Sequence, residues 1–330
     1  MQGKRVVFKE KGSVAIEDFD LKRPEPGQVL ISTISTLISP GTEKAYLMAL
    51  PNTPGVFPQY PGYSNSGVVA SVGNEASRFK VGNRVVSREN HASYVVAPED
   101  EVIEIPENLS FDEASFFALG SIALQGIRKA QIELGESVVV LGQGLVGILA
   151  LQLAKLSGGF PVIGVDLYDY RLRISSRCGA DYTFNPLEAN LEKSISDATY
   201  GKGANVVIEA TGNPEIIPIA LKLAGDYGRV IILGSPRGES RVNFYSDVHR
   251  MGICIIGAHD RTRPRYESFH GWWTSRDDSS LILKLIERGL LKVRDLITLK
   301  ISFQRAEEAY DKLVKSEGEV LGVILDWKMV

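Results

Sequence analysis

A chain of 330 residues, 44% hydrophobic and 23% charged, is long enough for two cores, and its net charge of −3 leaves no basic excess for a nucleic-acid partner. The longest apolar run, Val138–Ala154, is interrupted by glycines and glutamines, so no membrane span is expected, and the polar opening MQGKRVVFKEKG does not read as a secretory leader. Cys178 and Cys254 stand far apart with no CxxC, which argues against a disulfide framework or thiolate cluster and suits a reducing cytoplasm, with both as small buried apolar residues.

In chain order, the first hundred residues read as short strands at Arg5–Lys9, Val14–Glu17, Gln28–Ser35, Ser66–Ser71 and Arg84–Ser87, punctuated by the turn stretches RPEPGQ, VGNEAS and VGNR. A helical segment is predicted from Asp112 through Lys129. From Ser137 to about Gly257, the strand candidates VVVLG, PVIGVD, ANVVIEATG, GRVIILGSP and ICIIGAH alternate with helical stretches, the rhythm of a doubly wound parallel sheet. Next comes a polar loop, HDRTRPRYESFHGWWTSRDD. A helix (Ser279–Glu287), a strand near Leu299–Ser302, a helix (Gln304–Lys315) and a last strand (Val320–Asp326) complete the chain.

The stretch ESVVVLGQGLVGILALQLAKL carries the most chemistry. The β-branched run Val138–Val140 breaks at Gly142, and GQGLVG places glycines at 142, 144 and 147 before apolar residues at helical spacing. In a dinucleotide-binding turn the first glycine makes the tight bend, the second lets backbone approach a pyrophosphate, and the third lets helix and strand pack closely. Free N–H groups at the helix start, at Leu145 and Val146, then face the phosphates. Asp166, ending the next strand, is placed to accept the adenosine ribose hydroxyls and to repel the extra phosphate of NADP, so NAD is the expected cofactor and NADP the less favoured one. Arg171 can cover that ribose or help hold a phosphate; the plain alternative for Asp166 is a solvated strand-end carboxylate.

Taken together, PEPGQVLI, SPGTE, PGYSNSGVVASVG, FKVGNRVV and HASYVVAPED, the GQGLVG turn with Asp166, and the ending LITLKISFQRAEEAYDKLVKSEGEVLGVILDW resemble the medium-chain dehydrogenase/reductase (alcohol-dehydrogenase-like) superfamily over nearly the whole chain. The resemblance implies an α/β protein: a doubly wound parallel Rossmann sheet at 122–265 and a discontinuous, β-rich GroES-like catalytic domain at 1–121 and 266–330. It also implies that Thr211-Gly212 and Gly234-Ser235-Pro236, at strand ends, line the cofactor, with Gln125 on its nicotinamide side.

Departures from the family carry the functional argument. Pro40 stands where zinc-dependent members keep a cysteine, Tyr63 where they keep a histidine and Ser64 where they keep a glutamate; a later ligand falls near Ser121, and the four-cysteine zinc lobe is absent. These residues are poor zinc ligands, so the chain resembles a zinc-free branch, with no metal expected. Within it, ISPGTE and PGY are similar to the bacteriochlorophyllide hydroxyethyl dehydrogenase-like members, from which no substrate is drawn.

Without zinc, positioned donors must hold the substrate oxygen and supply its proton. Four candidates arise: Thr42, at the family's proton-relay position; Tyr63, a phenol in place of a ligand; Glu43, able to polarise Tyr63; and His91. Each has a plainer alternative: a turn-holding Thr42, a cavity-filling Tyr63, a structural Glu43, a loop histidine. His259, Arg261 and Arg263 can bind an anionic or polyhydroxylated small molecule, or simply sit in a solvated loop. The expected activity is NAD(H)-linked hydride transfer to or from a secondary alcohol or ketone. An NADPH-dependent quinone or enoyl reductase and an inactive nucleotide-binding protein stay open. A homodimer through the apolar edge at Ile253–Gly257 is expected, because an unpaired apolar edge invites association.

Overall fold

The computed structural model describes residues 2–315 and 318–328. The chain divides into two compact units, Met1–Leu119 with Ser279–Val330 and Gly120–Asp278.

The first unit begins with β1 (Gln2–Glu10), β2 (Ser13–Asp20), β3 (Gln28–Leu37), α1 (Pro40–Leu47), β4 (Asn65–Val72), β5 (Arg84–Ser87), β6 (Tyr94–Pro98), β7 (Ile103–Glu104) and α2 (Phe111–Ala114). Helix α3 (Phe117–Ala130) leads out of it. The Rossmann unit then runs β8 (Val138–Leu141), α4 (Leu145–Leu156), β9 (Val162–Val165), α5 (Asp169–Arg177), β10 (Tyr182–Phe184), α6 (Leu191–Ala198), β11 (Ala204–Glu209), α7 (Ile216–Leu223), β12 (Ala224–Ile232) and β13 (Cys254–Gly257). Helix α8 (Ser275–Glu287) leads back to β14 (Ile297–Ser302), α9 (Ala306–Lys315) and β15 (Gly322–Asp326).

In the first unit β3 alternates buried and half-buried residues, the mark of a strand with one face on a core. It pairs antiparallel with β4, β6 and β15, and the sheet continues β14-β15-β3-β4-β5-β7. Val29, Ile31, Val69, Val85 and Val95 fill one core; Phe8, Ile38, Phe303, Tyr310 and Trp327 fill another, with the Phe303 and Trp327 rings stacked at 4.5 Å. The C-terminal strand β15 sits inside the sheet, between β14 and β3.

The other unit's six-stranded sheet runs β10-β9-β8-β11-β12-β13, all parallel. Every residue of β8 and β9 is buried, as expected for strands covered on both faces. Counting from β8, this is the 3-2-1-4-5-6 order of a dinucleotide-binding sheet, and its switch point lies between β8 and β11.

Several sequence expectations need adjusting. The single helix through Asp112–Lys129 is two helices: Ser115 closes α2 by donating its hydroxyl to the Asp112 carbonyl at 2.6 Å, and Phe116 turns fully into the core. SPGTE opens α1, with Pro40 in the first turn, where a missing N–H is harmless. The units divide at Leu119/Gly120 and Asp278/Ser279, whereas the sequence suggested 121/122 and 265/266. The loop after β13 stays with the Rossmann unit because Arg263 and Gln125 tie it there. Among the described residues no helix is long and apolar enough to cross a membrane.

Candidate active-site hydroxyls and dinucleotide cradle

The glycine turn after β8 behaves as its three positions require. Gly142 has φ +89°, and a Cβ there would meet Thr211 at 2.8 Å. A Cβ on Gly147 would lie 1.8 Å from the Gly142 carbonyl oxygen, so helix and turn touch backbone to backbone. Gly144 is the exception: a Cβ there would meet nothing within 4 Å. Gly144 is also the N-cap of α4 and no side chain caps that helix, so the open space at Gly144 adjoins an uncapped helix start, at Leu145 and Val146, with the helix's partial positive charge behind it. The sequence could not show which glycine was open; the packing does.

Asp166 follows β9 and is 8% exposed. Its Oδ2 accepts the Gln143 amide at 2.6 Å and its Oδ1 the Tyr168 amide at 3.0 Å, which pins the carboxylate beside the glycine turn. Arg171 Nη1 lies 3.7 Å from Oδ2, with its guanidinium 4.9 Å from the Tyr168 ring centroid. Across the switch point, buried Glu209 ends β11, and its Oε1 accepts the Thr211 and Gly212 amides at 2.6 and 3.1 Å and the Thr211 hydroxyl. Burial raises the Glu209 pKa. A Cβ on Gly234 would lie 2.4 Å from the Gly212 nitrogen, and one on Gly212 would lie 2.8 Å from the Ser235 carbonyl oxygen; Pro236 follows directly. The ends of β11 and β12 are thus laced together. Glu209, the organiser of this lacing, was not singled out in the sequence, although an acidic residue ending an apolar strand was a visible signal. These residues fit a dinucleotide: an open amide-lined helix start for the pyrophosphate and a fixed carboxylate for the ribose.

The hydroxyl cluster belongs to the other unit. The half-buried Tyr63 donates its phenolic O–H to Ser39 Oγ at 2.5 Å and also bonds the Thr42 hydroxyl. Burial pushes its pKa up to about 12, against which the two hydroxyls act. Glu43 does not bond Tyr63, contrary to the expected polarising contact. Its Oε1 accepts the Ser39 amide at 2.7 Å, while its Oε2 lies 3.0 Å from His91 Nε2 and accepts the Tyr310 hydroxyl. Glu43, His91 and Tyr310 are 2%, 0% and 1% exposed, so His91 is sealed from any substrate. Its Nδ1 has no hydrogen-bond partner among the described residues, which places the ring proton on Nε2, facing the carboxylate. Three donors thereby satisfy one buried carboxylate. Burial beside that carboxylate raises the Tyr310 pKa well above its usual value. Ser39 and Tyr310 were missed in the sequence.

Arg263, expected to meet substrate, is corrected by the structure. Its Nε donates to Asp260 at 2.8 Å, its Nη1 to Asp278 and its Nη2 to the Ser121 carbonyl, and its side chain is buried. Every nitrogen of the guanidinium is engaged in the loop's own fold. Asp278 also takes Arg128 at 2.7 Å, and Arg128 lies 3.6 Å from the Trp273 ring centroid. Gln125 donates to the Thr262 carbonyl at 3.2 Å, which makes it a brace of the same loop. His259 and Arg261 are exposed, and His259 Nδ1 accepts the Arg261 amide at 3.0 Å.

Zinc takes cysteine, histidine or carboxylate ligands. Pro40 offers no ligand atom, the Tyr63 phenol is engaged with two hydroxyls, and Glu43 and His91 are paired to one another. Among the described residues no three His, Cys, Asp or Glu side chains converge on a common point. These residues do not fit a tetrahedral zinc.

Residues 146–273 match the family described as zinc-binding dehydrogenase. The chain is 27% identical to L-threonine 3-dehydrogenase of Pyrococcus abyssi, covering 92% of this chain and 94% of that protein. It is 29% identical to a probable D-xylulose reductase A of Aspergillus clavatus over 79% of each. Among solved structures, a Sinorhizobium meliloti 1021 protein bound to NADP superposes with a TM-score of 0.84 over 99% of both chains at 22% identity, a likeness of fold.

Proposed function

We propose that this chain is a member of the alcohol-dehydrogenase-like medium-chain dehydrogenase/reductase superfamily and transfers hydride between NAD(H) and a secondary alcohol or its ketone without a catalytic zinc. The cofactor assignment is carried by the open, uncapped start of α4 at Gly144 beside the pinned carboxylate of Asp166. Asp166 favours NAD, since a phosphate on the ribose would meet a fixed negative charge. Gly144 to Gly147 would hold the pyrophosphate and Asp166 the adenosine ribose; the bound nicotinamide supplies or accepts the hydride.

Tyr63 handles the proton. At neutral pH its phenol is protonated, and an alkoxide is more basic than a phenolate, so Tyr63 donates to the oxygen as negative charge develops there. Thr42 supports the phenol through its own hydroxyl. Glu43 and His91 hold the backbone beneath it without touching substrate. The departure of Pro40 and Tyr63 from the family's metal ligands supports zinc independence.

Substrates named for the relatives are hydroxylated and polar, so L-threonine and D-xylulose join a panel with simple secondary alcohols and an enone. The test follows nicotinamide absorbance with NAD(H) and NADP(H), before and after exhaustive chelation, alongside elemental analysis. Turnover of an alcohol or ketone with NAD(H), unchanged by chelation and with no stoichiometric metal, is expected. Reduction of only the enone with NADPH would favour a C=C reductase, and chelator-sensitive turnover would end the zinc-free reading.

A further inference from the structure

Two helices of the first unit start with a serine and carry a glutamate in the first turn, yet only one is capped in full. At α2 the Ser110 hydroxyl accepts the Glu113 amide at 3.2 Å, and the Glu113 carboxylate reaches back to the Ser110 amide at 3.4 Å, the reciprocal capping box. At α1 the return half is present, with Glu43 accepting the Ser39 amide at 2.7 Å, but the Ser39 hydroxyl caps nothing. An N-cap serine ordinarily gives its oxygen to an orphan amide of the first turn. Here that oxygen accepts Tyr63 instead.

The surroundings leave Ser39 little freedom. It is itself buried, its amide is held by Glu43, and Glu43 is held in turn by His91 and Tyr310. A buried cluster whose members hold one carboxylate together is stiff, because any donor that moves leaves an unpaired polar group behind. The cluster reaches the half-buried Tyr63 through the Ser39 side chain.

We propose that Ser39 is the positioning residue for Tyr63: its hydroxyl, withdrawn from helix capping, orients the phenol and turns from acceptor to donor as the phenol gives up its proton. The inference rests on the reading of Tyr63 as the proton-handling group. In carbonyl reduction the Tyr63 O–H bond breaks, its proton forms the O–H bond of the product alcohol, and the electron pair stays on the phenolate oxygen; the hydride that reduces carbon comes from reduced nicotinamide. Ser39 then needs only to rotate about Cβ–Oγ to donate to that oxygen and loses no proton itself. Thr42 can donate at the same time, so the phenolate is met by two hydroxyls. Alcohol oxidation reverses these steps.

The test is a double-mutant cycle with a spectroscopic companion. Ser39→Ala should lower turnover about tenfold, the worth of a hydrogen bond to a charged oxygen, while NADH affinity and melting temperature stay near wild type because the hydroxyl caps no helix. Ser39→Thr, which keeps the hydroxyl, should recover most of the loss. In a Tyr63→Phe background Ser39→Ala should cost nothing more; additive losses, or an Ser39→Ala protein as fast as wild type, would overturn the proposal. A fully active Tyr63→Phe protein would instead remove the reading on which it rests. Independently of turnover, protein labelled with carbon-13 at the tyrosine Cζ, its Tyr63 signal assigned by Tyr63→Phe, should show that signal alone displaced in Ser39→Ala. An unmoved Tyr63 signal would also overturn the proposal.

Discussion

Gly144→Ala and Gly147→Ala place the same methyl group in the same turn, and the structure predicts opposite outcomes. At Gly144 the backbone has φ −76°, within reach of any residue, and the added Cβ meets nothing within 4 Å. The fold should accept it at the cost of a weaker N-cap, about 1 kcal/mol or less. The same methyl then occupies the space where a pyrophosphate would touch backbone, so NADH affinity should fall at least tenfold, roughly 1.4 kcal/mol. At Gly147 the Cβ would lie 1.8 Å from the Gly142 oxygen, far inside contact distance, and both partners are backbone. Helix α4 must move off the strand, an overpacking cost of about 3 kcal/mol, which lowers the melting temperature by about 6–12 °C. The assay pairs nucleotide-fluorescence titration with thermal melts. A Gly144→Ala protein that binds NADH like wild type, or that melts as low as Gly147→Ala, would refute the assignment of Gly144 as the open approach to the phosphates.

Other outcomes can be checked on the same material. Asp166→Ser removes the fixed charge and should narrow the preference for NADH over NADPH in the same titration; tighter NADPH binding by the wild-type protein would count against the NAD reading. Tyr63→Phe keeps the ring and should slow turnover about a hundredfold, ~3 kcal/mol of transition-state stabilisation. Because burial lifts the Tyr63 pKa to about 12, its phenolate grows tenfold per pH unit below that value, so alcohol oxidation should accelerate steadily from neutral to alkaline pH, and a plateau near neutrality would contradict the assignment. Strand β13 is the terminal strand of the Rossmann sheet and exposes Ile255, so light scattering should give a homodimer, and a charge at Ile255 should weaken it.

The two parts of the candidate site differed in how far they could be read from the sequence. The cradle is local: Gly142, Gly144 and Gly147 lie in one turn, and Asp166 ends the next strand, so spacing alone exposes the pattern. The strands of both units were legible for the same reason, since alternation in β3 and continuous apolar runs in β8 and β9 report their burial directly. The hydroxyl cluster is assembled by topology. Tyr63 reaches Ser39 across 24 residues, His91 reaches Glu43 across 48, and no local period connects them. Neither reading of Thr42, as proton relay or as holder of a turn, revealed that Ser39 is a helix cap, and therefore that its hydroxyl had been diverted. Arg263 shows the converse error: an arginine in a polar loop looked available until its three acidic and carbonyl partners came into place.

The reach of Tyr310 to Glu43 has a consequence for how the protein is made. The two residues are 267 positions apart, and β15, which completes the sheet beside β3, comes later still. At about 5–20 residues per second a ribosome takes about 15–50 s to bridge that interval. Throughout it, the nascent N-terminal segment carries a glutamate destined for burial whose third donor has not yet been synthesised. Its site therefore cannot mature as the segment emerges. A message cut short before α9 would release a chain with its nucleotide turn fully encoded and its proton-handling corner unfinished, so loss of the last few dozen codons should silence the protein as surely as loss of Tyr63.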